Sequence, residues 1–360
     1  SQVLYNGKAG LIDLDLNQQQ KVLNSYGYPM GLADYSAFIL GGLPKQGQTL
    51  EEVKDLLLNE IKKLRAGEFD EKMLQANINN FKLYELQSME SNEGRADIFV
   101  NSFINGTNWE DEVTAIDRMA KLTKEDIVAF ADKYLKEDNY AVVYKKQGKD
   151  PNEKKMTKPE ITPIVSNRDV ASPFLTSIQE NAVKPIEPVF LDFKKDMSQL
   201  TAKSDIPVLY KQNTTNDLFQ LIYVFDMGNN NDKALGTAFD YLEYLGTSDM
   251  TPEELKSEFY RLACTFYVSP GNERTYVVLS GLNENMPAAM QLFEKLLADA
   301  QVNKEAYDNL VGDILKARAD AKLNQGQNFS RLMNYAMYGP KSPATNLLTE
   351  AELASMNPQE

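Results

Sequence analysis

Along much of the chain, apolar residues recur at intervals of three and four, broken by short runs in which they alternate or cluster, and this predicts helices packed on strands. Residues 35–42, "YSAFILGG", form an aromatic and aliphatic run closed by Gly41 and Gly42 that reads as a buried strand. Thr49 followed by Glu52 is a capping-box signature, and Leu50, Val53, Leu57, Ile61 and Leu64 then mark one face of a helix ending at Gly67. A second helix opens at Asp70 and carries Leu74, Ile78, Phe81 and Tyr84 at helical spacing, with a continuation past Gly94. Another begins near Trp109, Thr123 with Asp126 caps a further one, and "NYAVVYKK" at 139–146 alternates as a strand.

The texture changes from about residue 147 to 205, where Pro151, Pro159, Pro163, Pro173, Pro185 and Pro188 punctuate a charged, weakly periodic stretch. A connection this long exceeds ordinary loops, so it is expected to be extended, to carry short strands and to lie against both flanking units. Two strand-like runs follow, "IPVLYKQN" and "LFQLIYVFDMG", and then a helix over "KALGTAFDYLEYLGT". Thr251, Pro252 and Glu254 supply the cap, the first-turn proline and the capping-box acid of the next helix. A hairpin is expected around Pro270 and Gly271, followed by helices after Asn285, after Asn303 and within "FSRLMNYAMYG". The whole predicts an α+β protein of two units, each with helices packed on a mostly antiparallel sheet: 1–146, an extended linker 147–205, and 206–360.

Length supports that division, since 360 residues exceed the roughly 250–300 that one core serves. Lys plus Arg number 38 against 52 Asp plus Glu, a net charge of -14. An acidic surface repels nucleic acid and anionic membranes, both of which require clustered cations, and it suits a basic peptide better. The basic run Lys145, Lys146, Lys149, Lys154, Lys155 and Lys158 is interrupted by Asp and Pro and reads as a solvated linker. No stretch approaches the roughly 20 apolar residues of a membrane span. The first residues lack a basic-then-apolar signal pattern and read as entry into a fold already under way.

Histidine is absent and cysteine occurs once, as Cys264 in an apolar setting. A thiol without a histidine base reads as buried structure before it reads as a nucleophile. Many carboxylates are present, yet no pair stands in a motif that would mark a glycosidase-type acid and base.

The order of strands and helices from residue 206, and the stretch "FDYLEYLGT" at 239–247, resemble the front of a repeat in the pitrilysin and insulinase family of zinc peptidases. "GQTLEEVKDLLLNEIKKLRAGEFDEKMLQA", "LTKEDIVAFADKYLKEDNYAVVYKK", "SGLNEN" and "YGPKSPATNLLTEAEL" are similar to the family as well. Active members hold zinc on a helical H-x-x-E-H motif whose glutamate is the general base. The resemblance places Asp240 and Tyr244 at the histidine positions, Glu243 at the glutamate position and Asp313 near the third ligand. Its implication is a degenerate site with no catalytic and no metal-binding residue in this segment. Zinc is expected instead in a catalytic repeat upstream in a longer parent protein. The chain then resembles the back part of one non-catalytic repeat, a linker and the front part of the next.

By that resemblance the segment forms chamber wall and hinge for peptide substrates and packs on other repeats of its own chain, with no nucleic-acid partner. The alternative is an inactive partner or peptide-binding subunit of the same fold. Without any resemblance, "FDYLEYLGT" is an amphipathic core helix with Phe239, Leu242 and Leu245 inward and Glu243 solvated. Tyr241, Tyr244, Phe259, Tyr260, Phe266 and Tyr267 are candidates for a peptide groove or for core. Arg95 and Arg331 are candidates for substrate carboxylates or for surface ion pairs. Nothing in the residues fixes the compartment, and a periplasmic or other extracytoplasmic bacterial setting is compatible with them.

Overall fold

The computed structural model describes residues 1–360 except 33, 150, 151, 155, 165, 167, 343, 344 and 360, and except the side chains at 204 and 341. Pro151 and Lys155 of the expected linker therefore lie outside the described residues. A turn of π-helix, Asp13–Gln18, leads into β1 (Asn24–Gly31), which pairs antiparallel with β2 (Ser36–Leu43), Asn24 opposite Leu43 and Gly31 opposite Ser36. β2 is the expected strand. β1 carries Gly27 and Pro29 and so gives no strand signal, yet in a two-stranded ribbon every strand is an edge, where a proline's missing donor is tolerated.

Helix α1 (Leu50–Ala66) forms with both capping-box bonds, Thr49 Oγ1 accepting from Glu52 N and Glu52 Oε2 accepting from Thr49 N. Its stripe Val53, Leu57, Ile61 and Leu64 is buried against Leu4, Ile12, Leu16 and Val22 from the N-terminal segment. Helix α2 (Lys72–Ser88) departs from its expected stripe: Ile78 is buried, Tyr84 is exposed, and the polar Asn77 and Asn80 turn inward. Nor does α2 run on past Gly94. The chain breaks at Met89, and α3 (Asn92–Asn105) starts afresh with Ser91 Oγ accepting from Gly94 N. Glycine is needed at that junction because a Cβ on residue 94 would stand 2.0 Å from Ser88 O.

Short helices α4 (Trp109–Val113) and α5 (Ala115–Met119) precede α6 (Lys124–Tyr134), whose capping box joins Thr123 and Asp126 and whose Ala131 closes the first core. The strand expected at 139–146 does not form. Tyr140, Val142, Val143 and Tyr144 are exposed, and no described strand pairs with them. Alternation is a property of a segment, but a strand needs a ladder partner as well.

Residues 1–142 and 213–360 make one unit and 143–212 another. The smaller unit contains α7 (Pro173–Gln179), α8 (Phe193–Asp196) and a hairpin of β3 (Ser198–Thr201) with β4 (Pro207–Tyr210). The run expected as a strand at 206–213 thus pairs backwards onto β3.

In the larger unit, β5 (Leu218–Phe225) leads to α9 (Leu235–Leu242) and α10 (Pro252–Arg261), the latter capped by Thr251 and Glu254 as the sequence indicates. The expected hairpin is β6 (Cys264–Pro270) with β7 (Thr275–Leu282), and the sheet order is β5-β7-β6, antiparallel throughout. Helix α11 (Met286–Asp299) covers this sheet. Leu292, Phe293 and Leu296 meet Leu279, Val277 and Cys264, and Phe266 lies 5.1 Å from Phe259 and 4.9 Å from Phe293 between ring centroids. Helices α12 (Lys304–Ala321), α13 (Gln325–Tyr338) and α14 (Glu350–Ser355) complete the chain. The protein is α+β, with helices packed on small antiparallel sheets.

Candidate functional site

Helix α9 is shorter than its sequence suggests. It ends at Leu242, Glu243 is its C-cap, and Tyr244 N bonds back to Tyr241 O at 2.9 Å. The chain then folds sharply at Gly246, where a Cβ would stand 2.3 Å from Met250 O. Buried Gln18 donates through Nε2 to Glu243 O at 3.1 Å and satisfies a carbonyl that the helix leaves open. Tyr241, instead of Phe239, is the inward anchor. Its hydroxyl donates to Asn303 O and accepts from Asn303 N, both at 2.8 Å, and its ring meets Tyr307 edge-on at 5.4 Å. Leu245 is buried as expected, whereas Leu242 and Phe239 are half-buried.

The four positions marked by the resemblance part company here. Glu243, Tyr244 and Asp313 line one cavity of about 250 Å³, together with Tyr5, Lys8, Asp13 and Lys256. Asp240 is not among the lining residues, although burial and the neighbouring Glu243 push its carboxyl above the ordinary value. Asp313, on α12, is paired with Lys45 from the loop after β2 at 3.4 Å. Burial raises its carboxyl, and Lys45 and Lys316 pull it back.

The cations of this cavity were not legible in the sequence. Lys8 comes from a polar N-terminal loop and Lys256 from the middle of a well-capped helix, and neither belongs to a motif. Burial pushes the amines of both down, Glu243 and Asp13 oppose that for each, and at Lys256 the charge on Lys8 adds to it. Lys8 Nζ donates to Thr265 Oγ1 at 2.8 Å. Asp13 Oδ2 accepts from the backbone N–H groups of Asn6, Gly7 and Gly10 at 2.9, 3.1 and 2.9 Å, which offset part of the burial that raises its carboxyl.

This donor set does not fit zinc. Zinc favours imidazole and thiolate, and the chain has no histidine, while its lone thiol lies in the second core. Among the described residues no three of His, Cys, Asp and Glu come together as a ligand set. Of the carboxylates beside the cavity, Asp313 is paired with a lysine, and Glu243 shares the lining with two.

Most of the remaining sequence candidates resolve into packing. Tyr241, Phe259 and Tyr260 are buried, Phe266 packs in the second core, Tyr244 lines the cavity, and Tyr267 is exposed. Arg95 bonds Met89 O and Asn92 Oδ1 and so closes the α2–α3 junction, and Arg331 is exposed on α13. Cys264 is buried, and burial pushes its thiol to about 11. Among the described residues no helix is long and apolar enough to cross a membrane.

No family model matches the chain, and no curated protein matches it. Solved structures similar to it include the periplasmic protease PqqL from Escherichia coli, at 13% identity over 97% of this chain with a TM-score of 0.40. A variant of the ferredoxin protease FusC in complex with Arabidopsis ferredoxin is similar at 11% identity over 96% of this chain, with a TM-score of 0.41. The peptidase M16 inactive domain from Pseudomonas fluorescens is similar at 15% identity over 45% of this chain, with a TM-score of 0.40. The chain spans 41% of the length of each of these three.

Proposed function

We propose that this chain is a non-catalytic part of a peptidase of the pitrilysin and insulinase type, forming wall and hinge of a chamber that holds peptide substrates. The observation that carries the reading is the setting of Glu243. In the family pattern this position is the general base beside a metal, and here it shares its cavity with Lys8 and Lys256. An ammonium group beside a carboxylate supplies the positive charge that a metal would otherwise supply, but it cannot polarise a water towards hydroxide as a Lewis acid does. In this reading zinc and the hydrolytic step belong to a catalytic repeat elsewhere in a longer protein, and the peptide substrates are bound through that whole protein.

The test is metal analysis of the purified chain combined with a peptide-cleavage assay. Zinc at background and no cleavage are the expected results. Stoichiometric zinc, removed by a chelator together with a measurable peptidase activity, would overturn the proposal. An H-x-x-E-H helix encoded in the same reading frame is also expected, and its absence would favour the inactive-subunit alternative.

A further inference from the structure

Most charged and polar groups around the Glu243 cavity are already engaged. Asp13 is held by three backbone N–H groups, Asp313 by Lys45, and Lys8 by Thr265. Asn17 bonds Ser25 and Gln20 bonds Ala306. Besides the exposed Asn24 amide, four groups are different. Among the described residues, the Lys256 ammonium, the Glu243 carboxylate and the hydroxyls of Tyr5 and Tyr244 make no hydrogen bond or ion pair. Lys256 and Glu243 line the same cavity and act on one another electrostatically without forming an ion pair, and Glu243 is open to solvent.

An unpaired ammonium in a partly desolvated setting is costly, and the cost is relieved by an acceptor placed against it. A lone anion would meet Lys256 but would also face Glu243. A lone cation would meet the reverse. A molecule with a carboxylate at one end and an ammonium at the other satisfies both, with phenol hydroxyls to bond the atoms between. The volume of about 250 Å³ lies below the roughly 300–1,000 Å³ of pockets for drug-sized ligands, which limits the occupant to a molecule smaller than those.

We propose that this cavity is a binding site for a small zwitterion, a free amino acid or a dipeptide, with its carboxylate on Lys256 and its ammonium on Glu243. Burial already pushes the Lys256 amine down, and a bound carboxylate would restore it. The site would operate whether or not the chain is part of a peptidase, so it stands or falls separately from that reading.

Calorimetric titration of the purified 360-residue chain tests this, with L-alanine and L-alanyl-L-alanine as zwitterions and acetate and methylammonium as the two half-ligands. The expected result is saturable binding of at least one zwitterion with a Kd at or below about 1 mM. Each half-ligand should bind about tenfold or more weakly, as befits loss of one charge-assisted hydrogen bond. Lys256→Met and Glu243→Gln should each weaken the zwitterion by a similar factor and Lys256→Arg by less, with circular dichroism showing all three folded. The proposal is overturned if neither zwitterion saturates in that range, if acetate binds as tightly as the zwitterion, or if folded Lys256→Met binds unchanged. Should a variant fail to fold, the comparison of zwitterion with half-ligands on the native chain decides alone.

Discussion

The Tyr260 hydroxyl donates to Asn77 Oδ1 at 2.7 Å, with both residues buried. The same corner holds a second bond, Asn80 Nδ2 to Tyr260 O at 2.8 Å, so α10 and α2 are joined by polar groups that would be costly if orphaned. Burial also pushes the Tyr260 phenol upward, which keeps it a donor at all ordinary pH. Tyr260→Phe keeps the ring and removes only the donor, leaving Asn77 Oδ1 without a partner. A loss of about 1–3 kcal/mol is expected, read as a lower urea midpoint at unchanged slope. An unchanged midpoint would show that the bond contributes nothing.

A second prediction concerns pH. Glu60 is 1% exposed, its Oε1 accepts from Lys63 Nζ at 2.9 Å, and its Oε2 has no hydrogen-bond partner among the described residues. Burial dominates and pushes this carboxyl above its ordinary value of 4.5, with Asp15 adding to the rise and Lys63 opposing it. Because the folded pKa is the higher, the stabilising contribution is complete below the unfolded value and is lost as pH rises through the folded one. Stability of Glu60→Gln, followed by thermal melts from pH 4 upward, should therefore show a shallower decline than the native chain. Equal slopes for the two proteins would remove Glu60 from the account.

Cys264 should be unreactive while the chain is folded. It is buried beside Leu279 and Phe293, and its thiol is raised to about 11, so almost no thiolate exists near neutrality. A thiol reagent should modify it only after denaturant is added, to one equivalent. Rapid labelling of native protein at pH 7 would contradict the buried placement.

Local rules account for much that was legible beforehand. The capping boxes of Thr49, Thr123 and Thr251 formed because both partners lie within one helical turn, and the hairpin at Pro270 and Gly271 formed because its two strands are neighbours in sequence. The same reach explains the misses. Residues 139–146 alternate like a strand but lack a partner, β1 has a partner but no alternation, and α9 stops at Leu242 in a tight turn anchored from afar by Gln18.

The candidate site divides along this line. Absence of imidazole, the carboxylate at 243 and the α+β class are properties of residue types and short-range patterns, and these were present in the chain before any fold was considered. That Lys8 and Lys256 converge on Glu243, that Asp313 is held by Lys45, and that Asp240 is left outside the cavity were decided only by packing. Segments remote in sequence enclose that space, and which side chains face it depends on where helices end and how they cross. No local propensity encodes such a choice, because its free energy arises from contacts that exist only once the segments have met.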